Sequence, residues 1–373
     1  MSDAPVLFEL LPASNGKSVA LITMNVEASL NSLSLAMTDM IQDKLNEWEN
    51  NDAITAVFLN SAGEKAFCAG GDIRQLYDSI VEAGDGHNQY ALDFWGREYR
   101  LDYHIHTYKK PIVVWATGFV MGGGIGLVAG CSHRVVTENT RMAMPEVNIG
   151  LFPDVGGTWF LQNAPGRSGM FAAMTGATIN GPDALFMRMA DRFIGSEQRQ
   201  QVLEGLTAID WNADANQHNA QVSQLLRGFE AASQTLKPEQ NVLPNFDEIQ
   251  RLTDFDDLVQ MADAISGYSG DNKWLAKSAK SLKNGCPASI AMAYEQIHRG
   301  KHLSLKEAFQ LELIVVMACA RYNNFKEGVR ALLIDKDRNP SFSPATVAEL
   351  TDEFINQHFE APWPEGQHPL RDL

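Results

Sequence analysis

The sequence predicts an α/β fold that continues into a mainly helical C-terminal region. Up to about residue 190, short apolar runs typical of strands alternate with segments whose apolar residues recur at helical spacing. From about residue 271 onward, the helical spacing dominates. We therefore expect an α/β core over residues 1–195, a polar helical insert or linker over residues 196–270, and a helical region over residues 271–373.

The composition limits the classes of protein to which this chain can belong. Of its 373 residues, 45% are hydrophobic and 20% are charged, which is enough apolar material for a sizeable core. The formal net charge of −16 argues against nonspecific nucleic-acid binding, because that binding requires a basic surface. No apolar run reaches the roughly 18 residues of a membrane-spanning helix, so we expect no membrane association.

The N-terminal stretch and the cysteines give a further expectation about the compartment. The stretch MSDAPVLFELLP resembles neither a signal peptide nor an Arg-rich transit peptide, so we expect a cytoplasmic protein. The cysteine spacings suit neither a zinc site nor a disulfide scaffold. We expect reduced, mostly buried thiols at Cys68, Cys131, Cys286 and Cys319.

The elements of the α/β part follow from the apolar pattern. The apolar runs Val6–Leu11 and Ser18–Met24 flank the turn signal Asn15-Gly16 and predict a β-hairpin. In chain order, the further predicted elements are a helix over 34–49, a strand over 54–59, a helix over 90–108, strands over 111–116, 133–138 and 141–144, and a helical stretch over 158–189.

The C-terminal half is helical with one polar interruption. Gln, Asn and Glu dominate residues 196–240, and LKPEQNVLPN is typical of a linker or long loop. A helix is predicted from about Ser289, with Gly300 near its end. Ser304 and Glu307 have the spacing of a capping box, which predicts another helix to about Tyr322.

Two glycine-rich loops offer backbone N–H donors. Gly70 and Gly71 follow a short apolar run, and the Gly122–Gly124 run follows the strand over 111–116. The first N–H groups of a helix have no partner inside that helix, so two such loops can direct two donors at one oxygen. Each donor of such an oxyanion hole can lower a barrier by roughly 3 kcal/mol. The competing interpretation of each loop is a tight turn with close packing.

The second loop also fits another motif. Gly124, Gly126 and Ala129 have the spacing of the dinucleotide-binding fingerprint, and Glu146 lies twenty residues beyond Gly126. In that fold the fingerprint directly follows the first strand, whereas here Thr117–Met121 intervenes, so nicotinamide binding is not favoured. No serine-nucleophile or zinc-binding histidine motif is present in the sequence either.

The segment MPEVNIGLFPDVGG places Glu146 and Asp154 eight residues apart among apolar residues. A buried carboxylate is costly unless it is paired, hydrogen-bonded or protonated, so the alternative is a pair of capping residues at the surface. A helix would separate the two by about 12 Å, and an extended strand by about 26 Å. Gly150 and Pro153 interrupt regular structure, so the chain can turn back and bring both acids to one pocket.

Taken together, these motifs resemble the crotonase (enoyl-CoA hydratase/isomerase) superfamily. The resemblance rests on FCAGGDIRQLY, KPIVVWATGFVMGGGIGL, MPEVNIGLFPDVGG and FKEGVRALLIDKD, which lie between about residues 15 and 340. Within the superfamily, the chain is most similar to the 3-hydroxyisobutyryl-CoA hydrolase branch. The resemblance implies a spiral of ββα turns and a thioester substrate carried on coenzyme A, with no further cofactor and no metal.

The resemblance also assigns roles to individual residues. It implies that the N–H groups of Gly71 and Gly123 form the oxyanion hole for the thioester carbonyl. Glu146 and Asp154 match the two catalytic acids of the branch, and Glu98 matches a glutamate at its substrate site. For Glu98, a solvated charge on a helix is the competing interpretation. The thioester carbonyl would have to lie between the two amides and the two acids.

One departure from the superfamily pattern decides between reactions. Hydratases of the superfamily carry a glutamate just after the glycine run, where this chain has Gly126. Asp154 supplies a different second carboxylate, which favours hydrolysis over hydration. An enoyl-CoA isomerase, which works with a single carboxylate at the position of Glu146, is the first alternative. A non-catalytic acyl-CoA-binding protein is another, and the acidic charge argues against the RNA-binding branch.

The expected reaction releases coenzyme A and a 3-hydroxy acid, as in valine breakdown. Glu146 either attacks the thioester, giving an anhydride, or activates a water molecule, and both routes stay open. Asp154 is expected to hold the 3-hydroxyl of the substrate. The candidates for binding the coenzyme A phosphates are Lys65, Arg74, Lys109 and Lys110. The resemblance also implies that a homo-oligomer can form.

Overall fold

A computed structural model describes residues 4–84, 86–211 and 214–373. The chain forms two compact units, and each is built from several stretches of sequence. The first, here called the sheet unit, comprises Met1–Gly71, Leu101–Met142 and Ile179–Gln240. The second, the helical unit, comprises Asp72–Arg100, Ala143–Thr178 and Asn241–Leu373.

The strands of the sheet unit are short and mostly buried. Their bounds are β1 Val6–Pro12, β2 Ser18–Met24, β3 Ile54–Ser61, β4 Ala66–Cys68, β5 Ile112–Ala116, β6 Phe119–Met121, β7 His133–Val136, β8 Arg141–Ala143, β9 Ile179–Asn180 and β10 Arg192–Phe193.

Two sheets arise from these strands. One has the order β1-β2-β3-β5-β7-β10, and the other has the order β4-β6-β8-β9. The predicted hairpin is confirmed, because β1 and β2 pair antiparallel with Val6 opposite Met24. From β2 onward the strands of the first sheet pair in parallel. Such a sheet needs crossover connections, which agrees with the predicted alternation of strands and helices.

The helices lie between and after these strands. Their bounds are α1 Leu35–Glu49, α2 Ile73–Ala83, α3 Gln89–Thr107, α4 Gly123–Ala129, α5 Gly157–Phe160, α6 Ser168–Thr175, α7 Gly181–Phe186, α8 Arg199–Ala208, α9 His218–Ala232, α10 Phe246–Leu252, α11 Leu258–Ser266, α12 Lys273–Asn284, α13 Pro287–Arg299, α14 Leu305–Arg321, α15 Asn323–Val329 and α16 Asp352–Gln357. Among the described residues, no helix is long and apolar enough to cross a membrane.

The helical stretch predicted over residues 158–189 is interrupted in the structure. The chain forms three short helices there, α5, α6 and α7, and the strand β9 separates the last two. Pro165 and Gly166 follow α5, and Gly176 ends α6 in the left-handed conformation with φ of 61°. Proline and left-handed glycine both terminate helices, so the apolar residues continue while the helix does not.

The polar stretch after residue 196 contributes to a core despite its composition. The apolar residues Val202 and Leu206 of α8, and Val222 and Leu226 of α9, are fully buried in the same cluster as residues of β3 and β5. Each pair has the i, i+4 spacing of a helix face. Residues 196–240 thus belong to the sheet unit, whereas residues 241–270 belong to the helical unit.

The C-terminal helices follow their sequence signals closely. The Ser304 hydroxyl accepts the N–H of Glu307, and the Glu307 carboxylate accepts the N–H of Ser304, which is the predicted capping box at the start of α14. The four cysteines are buried thiols, as expected.

Gly118→Ala tests how closely two strands approach each other. Gly118 has φ of 66°, and a Cβ there would lie 2.3 Å from the carbonyl oxygen of Lys65. Gly16→Ala is the matched control, because Gly16 has φ of 71° and nothing lies within 4 Å of its Cβ position. We expect Gly118→Ala to lower the free energy of unfolding in urea by about 1–3 kcal/mol more than Gly16→Ala. Equal losses would show that only the left-handed backbone matters.

Candidate active site

The predicted site residues fall into two groups, the first of which is the pair of glycine loops in the sheet unit. β4 and β6 pair in parallel, with Cys68 opposite Val120. Both loops therefore leave the carboxyl ends of neighbouring strands, with Gly71 three residues after Cys68 and Gly123 three residues after Val120. The pairing places the two predicted amide donors at the same edge of this sheet.

Close packing explains why these loops need glycine. A Cβ on Gly124 would lie 2.7 Å from the carbonyl oxygen of Cys68, and Gly70 and Gly122 have φ of 103° and 46°. Within the described residues, neither the N–H of Gly71 nor that of Gly123 donates a hydrogen bond. Both donors are therefore available to an external acceptor, as the oxyanion-hole prediction requires.

The second group is a cluster of carboxyl groups in the helical unit. Glu98 lies on α3, Glu146 opens a 3-10 turn over Glu146–Asn148, and Asp154 precedes α5. All three are buried, with exposed fractions of 2%, 5% and 4%. Charged residues are rarely buried without partners, so these are not the surface capping residues of the alternative interpretation.

The segment between Glu146 and Asp154 turns back on itself, as predicted. The carbonyl oxygen of Glu146 accepts the N–H groups of Ile149 and Leu151, at 3.0 and 3.1 Å. Gly150 has φ of 77°, and a Cβ there would lie 2.2 Å from the carbonyl oxygen of Asn324. The charge of Asp154 contributes to the raised pKa of Glu146, so the two carboxyl groups lie within electrostatic range of each other.

Burial and neighbouring charge change the proton affinity of two glutamates. Burial and the charge of Asp154 raise the pKa of Glu146 well above its usual range, and Glu98 adds to this effect. The same two causes raise the pKa of Glu98. Oε2 of Glu146 and Oε1 of Glu98 have no hydrogen-bond partner within the described residues. Each glutamate thus has a free oxygen for substrate or water.

Asp154 differs from the two glutamates because it has a side-chain donor. The hydroxyl of Tyr99 donates a hydrogen bond of 2.7 Å to Oδ2 of Asp154. Burial raises the pKa of Asp154 to about 6, although the Tyr99 hydrogen bond lowers it. Tyr99 is not among the site residues predicted from the sequence. Its position next to Glu98 on a predicted helix was the available signal.

The cluster has a further member, Glu312, that was not predicted from the sequence. Glu312 on α14 is fully buried, and its two carboxyl oxygens accept the N–H groups of Gly156 and Thr158 at 2.7 and 2.8 Å. Burial raises its pKa to about 8, although these two hydrogen bonds lower it. The signal was a glutamate three residues after Phe309, on the apolar face of the predicted helix.

Gly126 bears on which reaction the site can perform. It lies in α4 and is buried. It carries no acid at the position where superfamily hydratases have their first glutamate. The described residues contain no group of three or more His, Cys, Asp or Glu side chains that could hold a metal ion.

The four candidate phosphate ligands differ in their availability. Lys109 pairs with Glu49 at 3.2 Å, and the Lys110 ammonium donates to two backbone carbonyls near the end of α1. The Arg74 guanidinium donates to a backbone carbonyl at 2.9 Å, and Lys65 is exposed. Their role toward coenzyme A stays a prediction.

Two relatives match this chain over most of their length. The 3-hydroxyisobutyryl-CoA hydrolase, mitochondrial, of Danio rerio is 36% identical over 357 residues, which is 95% of this chain and 89% of the relative. The protein of the same name from Homo sapiens is 33% identical over 341 residues, which is 91% of this chain and 86% of the relative. The sequence model of the enoyl-CoA hydratase/isomerase family matches residues 19–359.

Two solved structures have a fold similar to that of this chain. A carnitinyl-CoA dehydratase from Mycobacterium thermoresistibile matches with a TM-score of 0.83 and 32% identity, over 97% of this chain and 98% of that one. An enoyl-CoA hydratase from Rhodobacter sphaeroides 2.4.1 matches with a TM-score of 0.81 and 31% identity, over 96% and 98%. These similarities confirm the predicted fold class.

Tyr99→Phe tests the hydrogen bond within the carboxyl cluster. The Tyr99 hydroxyl stabilises the ionised form of Asp154, so its removal should raise the pKa of Asp154 above about 6. We expect a rise of about 1–2 units. A pH titration of Asp side-chain carboxyl carbons by ¹³C NMR measures it, with the Asp154→Asn spectrum as the assignment control. An unchanged or lowered pKa would contradict the assigned role of Tyr99.

Proposed function

Because the chain belongs to the enoyl-CoA hydratase/isomerase family, we propose that it hydrolyses short 3-hydroxyacyl-CoA thioesters, most specifically 3-hydroxyisobutyryl-CoA. The products are free coenzyme A and 3-hydroxyisobutyrate. The observation that carries the proposal is the buried pair of Glu146 and Asp154, which share one turned segment. The substrate is the one that the two hydrolase relatives described above are named for.

The position of the second carboxylate supports hydrolysis rather than hydration. Adding water across a carbon–carbon double bond requires a base for the water and an acid for the adjacent carbon. Gly126 cannot supply the first of these groups. Asp154 replaces it with a carboxyl group that is held by Tyr99 and lies near Glu146. In this position the carboxyl group of Asp154 can accept a hydrogen bond from a polar group on the acyl chain, such as a 3-hydroxyl.

The proposed reaction assigns the bond-making and bond-breaking steps to three residues. The thioester carbonyl oxygen accepts hydrogen bonds from the N–H groups of Gly71 and Gly123, which stabilise the negative charge that develops there. Glu146 either attacks the carbonyl carbon or removes a proton from an attacking water molecule. In the first route, water then cleaves the resulting anhydride. In both routes the C–S bond breaks. In the general-base route the leaving sulfur takes the proton that Glu146 removed from water, and in the anhydride route it takes a proton from water.

Asp154 and Glu98 have supporting roles in the proposal. Asp154 accepts a hydrogen bond from the 3-hydroxyl of the substrate, and Glu98 lines the same cluster with a free oxygen. A general base works best when its pKa is near the operating pH, and burial moves the pKa of Glu146 in that direction. Coenzyme A enters as part of the substrate, and the proposal needs no other cofactor.

An isomerase remains the second candidate because it needs only the carboxyl group of Glu146. It would move a double bond within an enoyl-CoA rather than release a thiol. The solved structures described above carry hydratase and dehydratase names, so lyase chemistry is also represented among similar chains. Asp154 favours the hydrolase, since neither alternative uses a second acid in this segment.

Glu146→Gln tests the proposed function. Thiol release is measured with 3-hydroxyisobutyryl-CoA and a panel of other short acyl-CoA and 3-hydroxyacyl-CoA thioesters. Loss of the base or nucleophile should lower kcat by at least about 10²–10⁴-fold. Thermal stability near neutral pH should be kept or raised, because a neutral amide replaces a carboxyl group that is costly to ionise in this buried site.

Glu360→Gln is the control, because Glu360 is exposed and lies outside the site. Full turnover by Glu146→Gln would remove the proposed mechanism. Hydration of crotonyl-CoA by the wild type at a rate comparable to thiol release from 3-hydroxyisobutyryl-CoA would favour the lyase alternative. Binding of thioesters without turnover of any of them would indicate a non-catalytic protein.

The pH dependence tests which group acts as the base. The base must be ionised, so kcat/KM should fall as the pH falls through an apparent pKa above the ordinary glutamate value of about 4.3. The charge of Asp154 raises the pKa of Glu146. Asp154→Asn removes that charge, so the acidic limb of the remaining activity should move to lower pH. A limb that stays in place or moves to higher pH would contradict the proposed coupling.

A further inference from the structure

Glu312 lies on the apolar face of α14, yet it makes specific polar contacts. Its side chain is fully buried, and each of its two oxygens accepts one backbone N–H. The donors belong to Gly156 and Thr158, which are two and four residues after Asp154. A buried carboxyl group is tolerated only with such partners. Glu312 therefore holds the backbone that directly follows Asp154.

The backbone held by Glu312 has an unfavourable conformation. Val155 has φ of 51° and Gly156 has φ of 88°. A β-branched residue such as valine rarely adopts the left-handed region, and such a conformation persists only when the surroundings enforce it. The N–H of Gly157 also donates to the carbonyl oxygen of Asp154 at 2.7 Å. These bonds fix the direction in which the side chain of Asp154 leaves the backbone.

The same face of α14 also supports the hydrogen-bond donor to Asp154. Phe309 lies one helical turn before Glu312, and its ring packs on Tyr99 with the centroids 5.7 Å apart. A Cβ on Gly156 would lie 3.2 Å from Cζ of Phe309, so this ring also limits the space beside the turn. Phe309 thus supports Tyr99, while Glu312 supports the backbone of Asp154.

We infer that Glu312 and Phe309 are positioning residues that orient Asp154 toward the acyl chain and thereby determine the preference for a 3-hydroxyl group. The inference rests on the proposed function, because it needs a substrate whose hydroxyl contacts Asp154. Neither residue touches the reacting atoms. Displacement of a supporting group by about 1 Å can cost about 100-fold in rate, so indirect support of this kind is measurable.

The test compares two thioesters that differ in one hydroxyl. Thiol release from 3-hydroxyisobutyryl-CoA and from isobutyryl-CoA gives a selectivity, defined as the ratio of the two kcat/KM values. Glu312→Gln keeps the length of the side chain. Its amide NH₂ group, however, is itself a donor and would point at one of the two backbone N–H donors. We expect this variant to lower the selectivity by about tenfold or more, mainly through the hydroxylated substrate.

Two further variants separate positioning from general stability. Phe309→Leu removes the ring that supports Tyr99 and should also lower the selectivity. Gln310→Ala is the matched control on the same helix, because Gln310 donates its hydrogen bond to the carbonyl of Leu370 instead. It should leave the selectivity unchanged. If Glu312→Gln does not fold, the test compares the selectivity of Phe309→Leu with that of Gln310→Ala.

A double variant tests whether Glu312 acts through Asp154. In the Asp154→Asn background, adding Glu312→Gln should cause no further loss of selectivity, and a further loss would overturn the inference. Equal losses of kcat/KM with both thioesters in Glu312→Gln would also overturn it, because a merely structural role predicts that result. If the wild type releases thiol from neither thioester, the proposed function has failed and the inference falls with it.

Discussion

The burial of several carboxyl groups close together is the constraint on which the helical unit depends. Glu98, Glu146, Asp154 and Glu312 are all buried within it, and burial is the largest cause of the raised pKa of each. Each negative charge makes it more costly to ionise the neighbouring carboxyl groups. Hydrogen bonds to two of the four groups offset part of that cost. Asp154 accepts a hydrogen bond from the Tyr99 hydroxyl, and Glu312 accepts two from backbone N–H groups. Glu98 and Glu146 each have one oxygen without a hydrogen-bond partner among the described residues. A bound substrate that donates hydrogen bonds to these two oxygens would therefore add the most stabilisation to the cluster.

One carboxyl group distinguishes the proposed reaction from others that the same fold supports. A fold shared with proteins named as hydratases and dehydratases does not identify the chemistry, which depends on where acids and donors stand. Gly126 leaves one position of the fold without an acid, and Asp154 adds an acid in another segment. The glycine loops are independent of that exchange, because their geometry follows from the parallel pairing of β4 and β6. A thioester carbonyl needs amide donors in all of these reactions, whereas the acids specify what attacks it.

Local patterns predicted most of the fold, and they failed where hydrophobic spacing overrode a helix terminator and where tertiary contacts decide. The hairpin and the capping box follow from turn and capping chemistry within a few residues, and both are confirmed. Gly176 ends a helix inside an apolar run, which hydrophobic spacing does not register. Glu146 and Asp154 stand out because their segment is apolar, and Gly150 indicates the turn between them. Tyr99 and Glu312 lie far from that segment in sequence, so no local pattern links them to it.

The same electrostatics set stability and activity against each other. A carboxyl group whose pKa is higher in the folded than in the unfolded chain contributes most to stability below its unfolded value, and this contribution is lost as the pH rises through the folded value. As the pH rises from about 4 through the folded pKa values of about 6 and 8, Asp154 and Glu312 therefore make the folded state less favourable. A catalytic carboxylate must be ionised over that range. The hydrogen bonds from Tyr99, Gly156 and Thr158 oppose this loss by stabilising the ionised forms. The Tyr99 hydroxyl thus makes the charge of Asp154 tolerable, and the two N–H groups of the turn that follows Asp154 do the same for Glu312.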